Sequence, residues 1–122
     1  MTIFDHIEVH VKDIQKYIKF LEVIFEGGES KKLSDEGTSM FKCPEGLFIE
    51  IKKINSNNVP QLAGFCQPCL RKTNAKKFIE DNNLELVNEA ESPNGKIYFF
   101  KDYEGINWHV KDYIDKDWTN NW

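Results

Sequence analysis

The residues best suited to chemistry are few. The 122-residue chain has three histidines, and two of them share one short stretch with a carboxylate: Asp5-His6-Ile7-Glu8-Val9-His10-Val11. The stretch alternates as a half-buried strand does, with Ile7, Val9 and Val11 on one face and His6, Glu8 and His10 on the other. Imidazole and carboxylate bind divalent metals and move protons near neutral pH. A solvated strand face explains such residues just as simply, because Glu and His are mostly exposed or intermediate. Glu50 is harder to explain that way. It interrupts the apolar run Leu47-Phe48-Ile49-Glu50-Ile51, where an unpaired carboxylate is expensive to bury. The third histidine, His109, follows Trp108 in a late strand and reads equally as a hydrogen-bonded, partly buried ring.

Spacing limits what these groups can do together. At about 3.3 Å per residue, His10 lies roughly 13 Å from His6 along the strand and cannot share a metal ion with it. Glu8, about 6.6 Å away, is close enough to act as a base beside a ligand held at His6. Cys66-Gln67-Pro68-Cys69 has the spacing of a redox or zinc half-motif. On a strand, residues three apart face opposite ways, and no second cysteine pair completes a zinc site. Cys66 alone remains a candidate for the lining of a pocket. By parity Phe48 shares the face of Glu50, and Asn107 that of His109, so both are candidates for substrate contact, as His10 is.

The elements that must position these groups can be read in order. Asp13 is a helix N-cap, and Ile14, Tyr17, Ile18, Leu21 and Phe25 recur at helical spacing up to Gly27-Gly28, predicting a helix near 14–25. Strands are expected over 29–34, 38–43 and 47–51. Asn55-Ser56-Asn57-Asn58-Val59-Pro60 reads as a linker. Leu62 to Leu70 is strand-like with a break at Pro68. A helix near 73–82 follows, then strands over 85–89, 96–101 and 106–110. The pattern runs twice. His6 matches Gly64 at a separation of 58, and Phe41 to Ile51 matches Phe100 to Val110 at 59. The expected organisation is one domain: module one over 3–54, a linker over 55–60, module two over 61–112 and a C-terminal tail over 113–122. The tail is expected to dock on the domain or to meet a second subunit.

Composition excludes several classes. A net charge of −4 argues against a nucleic-acid binder, which would need a basic stripe, and no apolar run approaches the length of a membrane span. Three cysteines do not suggest a disulfide framework, and with Met1 so close to the first strand no signal peptide is expected. A cytoplasmic location is the expectation.

Two motifs in this duplicated frame carry a resemblance. Asp5-His6-Ile7-x-Val9-x-Val11-x-Asp13 and Phe100-x-Asp102-x-x-Gly105-x-Asn107-x-His109 are similar to the signatures of the vicinal oxygen chelate superfamily. That group includes glyoxalase I, bleomycin resistance proteins, extradiol dioxygenases and fosfomycin resistance enzymes. The resemblance spans about residues 3 to 112. It implies an α+β fold of two tandem βαβββ modules whose mixed sheet curls into a cup, and a homodimer. It also implies four metal-ligand positions, which fall on His6, Glu50, Gly64 and His109. Gly64 has no side chain to donate, and His109 stands where a carboxylate is usual. His6, Glu50 and His109 would then hold Zn, Ni, Fe or Mn, with Glu8 and Glu50 as the catalytic groups. On this reading the protein is a metal-assisted lyase, isomerase, transferase or dioxygenase acting on a small molecule. The alternative is a metal-free protein of the bleomycin-resistance type that sequesters a small ligand.

Overall fold

The computed structural model describes residues 5–54, 68–92 and 95–112. The chain divides into two compact units, Met1–Leu62 and Ala63–Trp122. In the first, β1 (Ile7–Val11) leads into α1 (Ile14–Ile24), then β2 (Glu29–Lys32), β3 (Ser39–Lys42) and β4 (Phe48–Lys53). The strands form one sheet in the order β1-β4-β3-β2, with β1 parallel to β4 and the other pairs antiparallel. The second unit repeats this with β5 (Cys69–Lys72), α2 (Ala75–Asp81), β6 (Glu85–Ser92), β7 (Gly95–Lys101) and β8 (Asn107–Asp112), in the order β5-β8-β7-β6. Both βαβββ modules are therefore present, as two four-stranded mixed sheets, each with a helix.

Helix α1 forms where its cap and stripe predict. The Asp13 side chain accepts from the Lys16 N–H at 3.0 Å, and Ile14, Tyr17, Ile18, Leu21 and Ile24 form its buried face. They meet Val11, Phe41, Ile49 and Ile51 on the sheet, each no more than 1% exposed. Truncating one such aliphatic to alanine removes about 2–5 kcal/mol. The chain leaves α1 through Glu26, Gly27 and Gly28, all at positive φ. Glycine is required at Gly28, because a Cβ there would strike the Phe41 ring and the Lys42 carbonyl. In the second module Ala75, Phe78 and Ile79 of α2 are buried, as are Leu70, Tyr98, Phe100, Trp108 and Val110. The Phe100 and Trp108 rings stack 8° from parallel, with centroids 6.2 Å apart.

The structure revises the alignment of the two modules. A separation of 58 would set Asp13 against Arg71. The residue that caps α2 is Asn74, whose side chain accepts from the Lys77 N–H at 3.0 Å just as Asp13 does in α1. Asp13 and Asn74 are 61 positions apart. Strand register agrees: Glu8 pairs with Glu50, and Cys69 with His109. Caps and registers are set by backbone hydrogen bonds, which matching of residue identities does not detect. By this count the counterpart of His6 is Gln67 rather than Gly64; both lie outside the described residues, as do the linker and the tail.

Candidate functional site

The polar face of the first sheet is built row by row. Parallel pairing sets Glu8 beside Glu50 and His10 beside Lys52. Antiparallel pairing sets Met40 beside Glu50, and Lys31 beside Met40. One row thus reads Lys31, Met40, Glu50, Glu8. The row before it reads Glu29, Lys42, Phe48. Side chains on this face are opposite in parity to the core residues, so every polar group is turned away from α1.

Lys52 ties the carboxylates together. Its ammonium lies 3.0 Å from Glu8 Oε1 and 3.4 Å from Glu50 Oε1. His10 Nε2 lies 2.7 Å from Glu8 Oε2. Hydrogen bonds from His10 and then Lys52 hold the Glu8 carboxyl down at about 2. Glu8 is therefore ionised and only accepts, so His10 Nε2–H is the donor. His10 Nδ1 is buried without a partner among the described residues, on a side chain only 9% exposed. At about 2, Glu8 is a poor proton acceptor near neutrality and suits the part of a fixed anion. Glu50, with a 17% exposed side chain, has the charge partner that its apolar strand required. At the strand entrance His6 Nδ1 lies 2.7 Å from Asp5 Oδ1. That hydrogen bond raises the His6 pKa. With Nδ1–H donating to Asp5, the neutral ring carries its lone pair on Nε2, the arrangement in which a carboxylate orients a ligating histidine.

The corresponding face of the second module differs. In register His109 is flanked by Cys69 and Phe99, neither of them a carboxylate. Its ring tilts over Phe99 with centroids 5.3 Å apart. Burial first, and Lys111 second, lower its pKa, so the ring is neutral at neutral pH. Its Nδ1 is buried with no partner among the described residues. Shelter raises the Cys69 thiol, against the pull of Lys111 and Arg71.

The expected site residues thus divide. His6, Glu8, His10, Phe48 and Glu50 fall on or beside one face of the first sheet, while Asn107 and His109 share a face of the second. Cys66 lies outside the described residues. Among the described residues no three of His, Cys, Asp and Glu are grouped to hold a metal ion. Sequence reasoning missed Lys52, although its parity with Glu50 marked it, and Met40, which only the pairing of β3 with β4 reveals. It also missed the part played by Asp102. That carboxylate is 3% exposed and accepts from the Glu104 N–H, the Ile106 N–H and Trp108 Nε1–H at 2.9, 3.0 and 3.0 Å. Part of the Phe100-to-His109 signature is therefore turn architecture.

Comparison with known proteins agrees with the architecture. No family model matches the chain, and no curated protein matches it in sequence. Solved structures match along nearly the whole length. The fosfomycin resistance protein FosX from Listeria monocytogenes is 21% identical, with a TM-score of 0.69 over 93% of this chain and 95% of that one. Its complex with Mn(II) and sulfate ion is 19% identical, with a TM-score of 0.67 over 99% and 98%. A glyoxylase/bleomycin resistance protein/dioxygenase domain from Frankia sp. is 13% identical, with a TM-score of 0.67 over 95% of each chain. The chain has the fold of the vicinal oxygen chelate superfamily. No helix among the described residues is long and apolar enough to cross a membrane.

Proposed function

We propose that the polar face of the first sheet is a small-molecule site, and that the protein is a glyoxalase-fold enzyme acting on a small oxygenated ligand. The observation that carries the reading is the Glu50–Lys52–Glu8–His10 chain: charges of both signs, linked by contacts of 2.7 to 3.4 Å, on a strand whose other face is core. A solvated strand has no need of a histidine buried with an unmatched nitrogen. FosX, of the same fold, is seen in complex with Mn(II).

The donor chemistry here fits a divalent ion of the Zn, Ni, Fe or Mn kind. His6 is oriented by Asp5, and Glu50 supplies a carboxylate on the same face of the first sheet. These two residues would hold the ion, which when bound supplies a Lewis acid for substrate oxygens. The chain's own residues do the rest. Glu8 stays ionised and fixes Lys52 and His10, Lys52 offers a donor to a substrate oxygen, and Phe48 contacts the ligand. A cytoplasmic homodimer belongs to this reading.

A second reading, a metal-free binding protein, is favoured by one contact: Lys52 already neutralises Glu50. Titration with Mn(II) and Zn(II) by calorimetry separates the two. On the first reading the wild type binds, Glu50→Gln loses at least tenfold in affinity with the fold intact, and Lys52→Gln binds more tightly. Equal or absent binding in all three proteins would leave the metal-free reading in place.

A further inference from the structure

A hollow of about 270 Å3 opens on the same face, at the edge of the sheet away from β1. Its apolar walls are Leu33, Met40 and Phe48, and Lys31, Lys42 and Glu29 stand around it. Leu33, just past the end of β2, is 48% exposed, and Phe48 at the start of β4 is 37% exposed. Register explains the grouping: Met40 lies between Lys31 and Glu50, and Lys42 between Glu29 and Phe48. The volume is near the small end of ligand pockets, which run from about 300 to 1,000 Å3.

The charges around the hollow do not cancel. Lys52 satisfies Glu50 and Glu8, so neither carboxylate is available to Lys31. Neither Lys31 nor Lys42 makes an ion pair among the described residues. With Glu29 counted, the rim keeps a surplus of one positive charge beside an apolar floor. From this arrangement we infer that the hollow takes a small monoanion with an apolar body, an aryl or branched-alkyl carboxylate. The body lies on Met40, Phe48 and Leu33, and the carboxylate meets Lys31 and Lys42. One row further in, Met40 adjoins Glu50, so a ligand seated here extends towards the polar chain. The inference rests on the reading of this face as a small-molecule site and names the class of ligand. It needs no metal.

The test is an amide-shift titration of the full chain with three probes of one shape: trans-cinnamate, cinnamyl alcohol and cinnamylamine. Cinnamate is expected to move the signals of Lys31, Leu33, Met40, Lys42 and Phe48. The alcohol should bind about tenfold more weakly and the amine more weakly still, as loss of one charge-assisted contact implies. The double variant Lys31→Gln, Lys42→Gln, at exposed positions, should lose the preference for cinnamate over the alcohol while keeping the spectrum of a folded protein. If the alcohol binds as tightly as cinnamate at the same residues, the class of ligand is wrong and the site reading survives. If no probe moves any signal on this face, both fall. A mass by light scattering that drops on Phe48→Lys, with no probe bound, would assign the hollow to contact with a second copy and overturn the proposal.

Discussion

The two modules share a frame and spend it differently. At the turn before the last strand, backbone bonds are the same: Cys43 N–H donates to the Leu47 carbonyl, and Asp102 N–H to that of Ile106. Module one leaves it there, with a buried thiol in the corner. Module two adds a carboxylate with three donors and a tryptophan locked to it. On the polar faces the emphasis reverses. Module one places Glu8 beside Glu50, whereas module two has Cys69 beside His109. One copy has put its buried polar chemistry into holding a turn, the other into a linked network on an open face. Duplication supplied the scaffold; the choice of residue at a few register positions separated structure from site.

The largest effect should come at the paired turn positions. Asp102→Ala strands three donors, one of them the indole of a 2% exposed tryptophan, and should remove about 3–5 kcal/mol in urea unfolding. Cys43→Ala deletes one small apolar group and should remove about 1 kcal/mol. Equal losses would mean that the carboxylate is no more than a filler, and the contrast between the turns would fail.

A smaller effect should appear in acid. His109 has a folded pKa below 6.5, so the unfolded chain binds more protons once the pH drops under that value, and stability declines from there. Glu8 is held at about 2 against an ordinary 4.5, so its contribution is present above 4.5 and disappears only as the pH falls towards 2. Its side chain is 39% exposed, and solvent screening keeps that contribution small. Thermal midpoints recorded against pH should therefore show two separate limbs. His109→Gln should erase the upper limb and leave the lower, and Glu8→Gln the reverse. A single limb that survives both changes would show that neither group sets the acid sensitivity.

What the sequence disclosed follows from the range of each interaction. The alternation of Ile7 to Val11 and the apolar stripe of α1 are local, and both were legible. So were the strands near 38–43 and 96–101, bounded by their turns. Glu50 was legible as an anomaly because a single charge in an apolar strand needs a partner. Its partner Lys52 was two residues on, with the same parity. Met40 beside Glu50 and Phe99 beside His109 were not legible, because cross-strand neighbours depend on register. The alignment of the modules went astray for a related reason. Between residues 62 and 70 the second copy keeps little of the first copy's residue identity, whereas the N-caps Asp13 and Asn74, chemically alike, mark the same place in both.

The buried corner thiol of module one has a kinetic consequence. Cys43 is 2% exposed, and burial pushes its pKa up to about 11. A thiol alkylates as its thiolate, so Cys43 is doubly protected while the module is closed. Cys69 is exposed, so although shelter also raises its thiol, reagent can reach it in the closed module. Iodoacetamide should therefore modify Cys69 before Cys43, and Cys43 only as often as the β3–β4 corner opens. Its labelling rate, followed by mass spectrometry of the peptide that carries it, becomes a clock for transient opening of the module proposed to bind ligand. A ligand seated on Met40 and Phe48, the strands that flank that corner, should slow the clock.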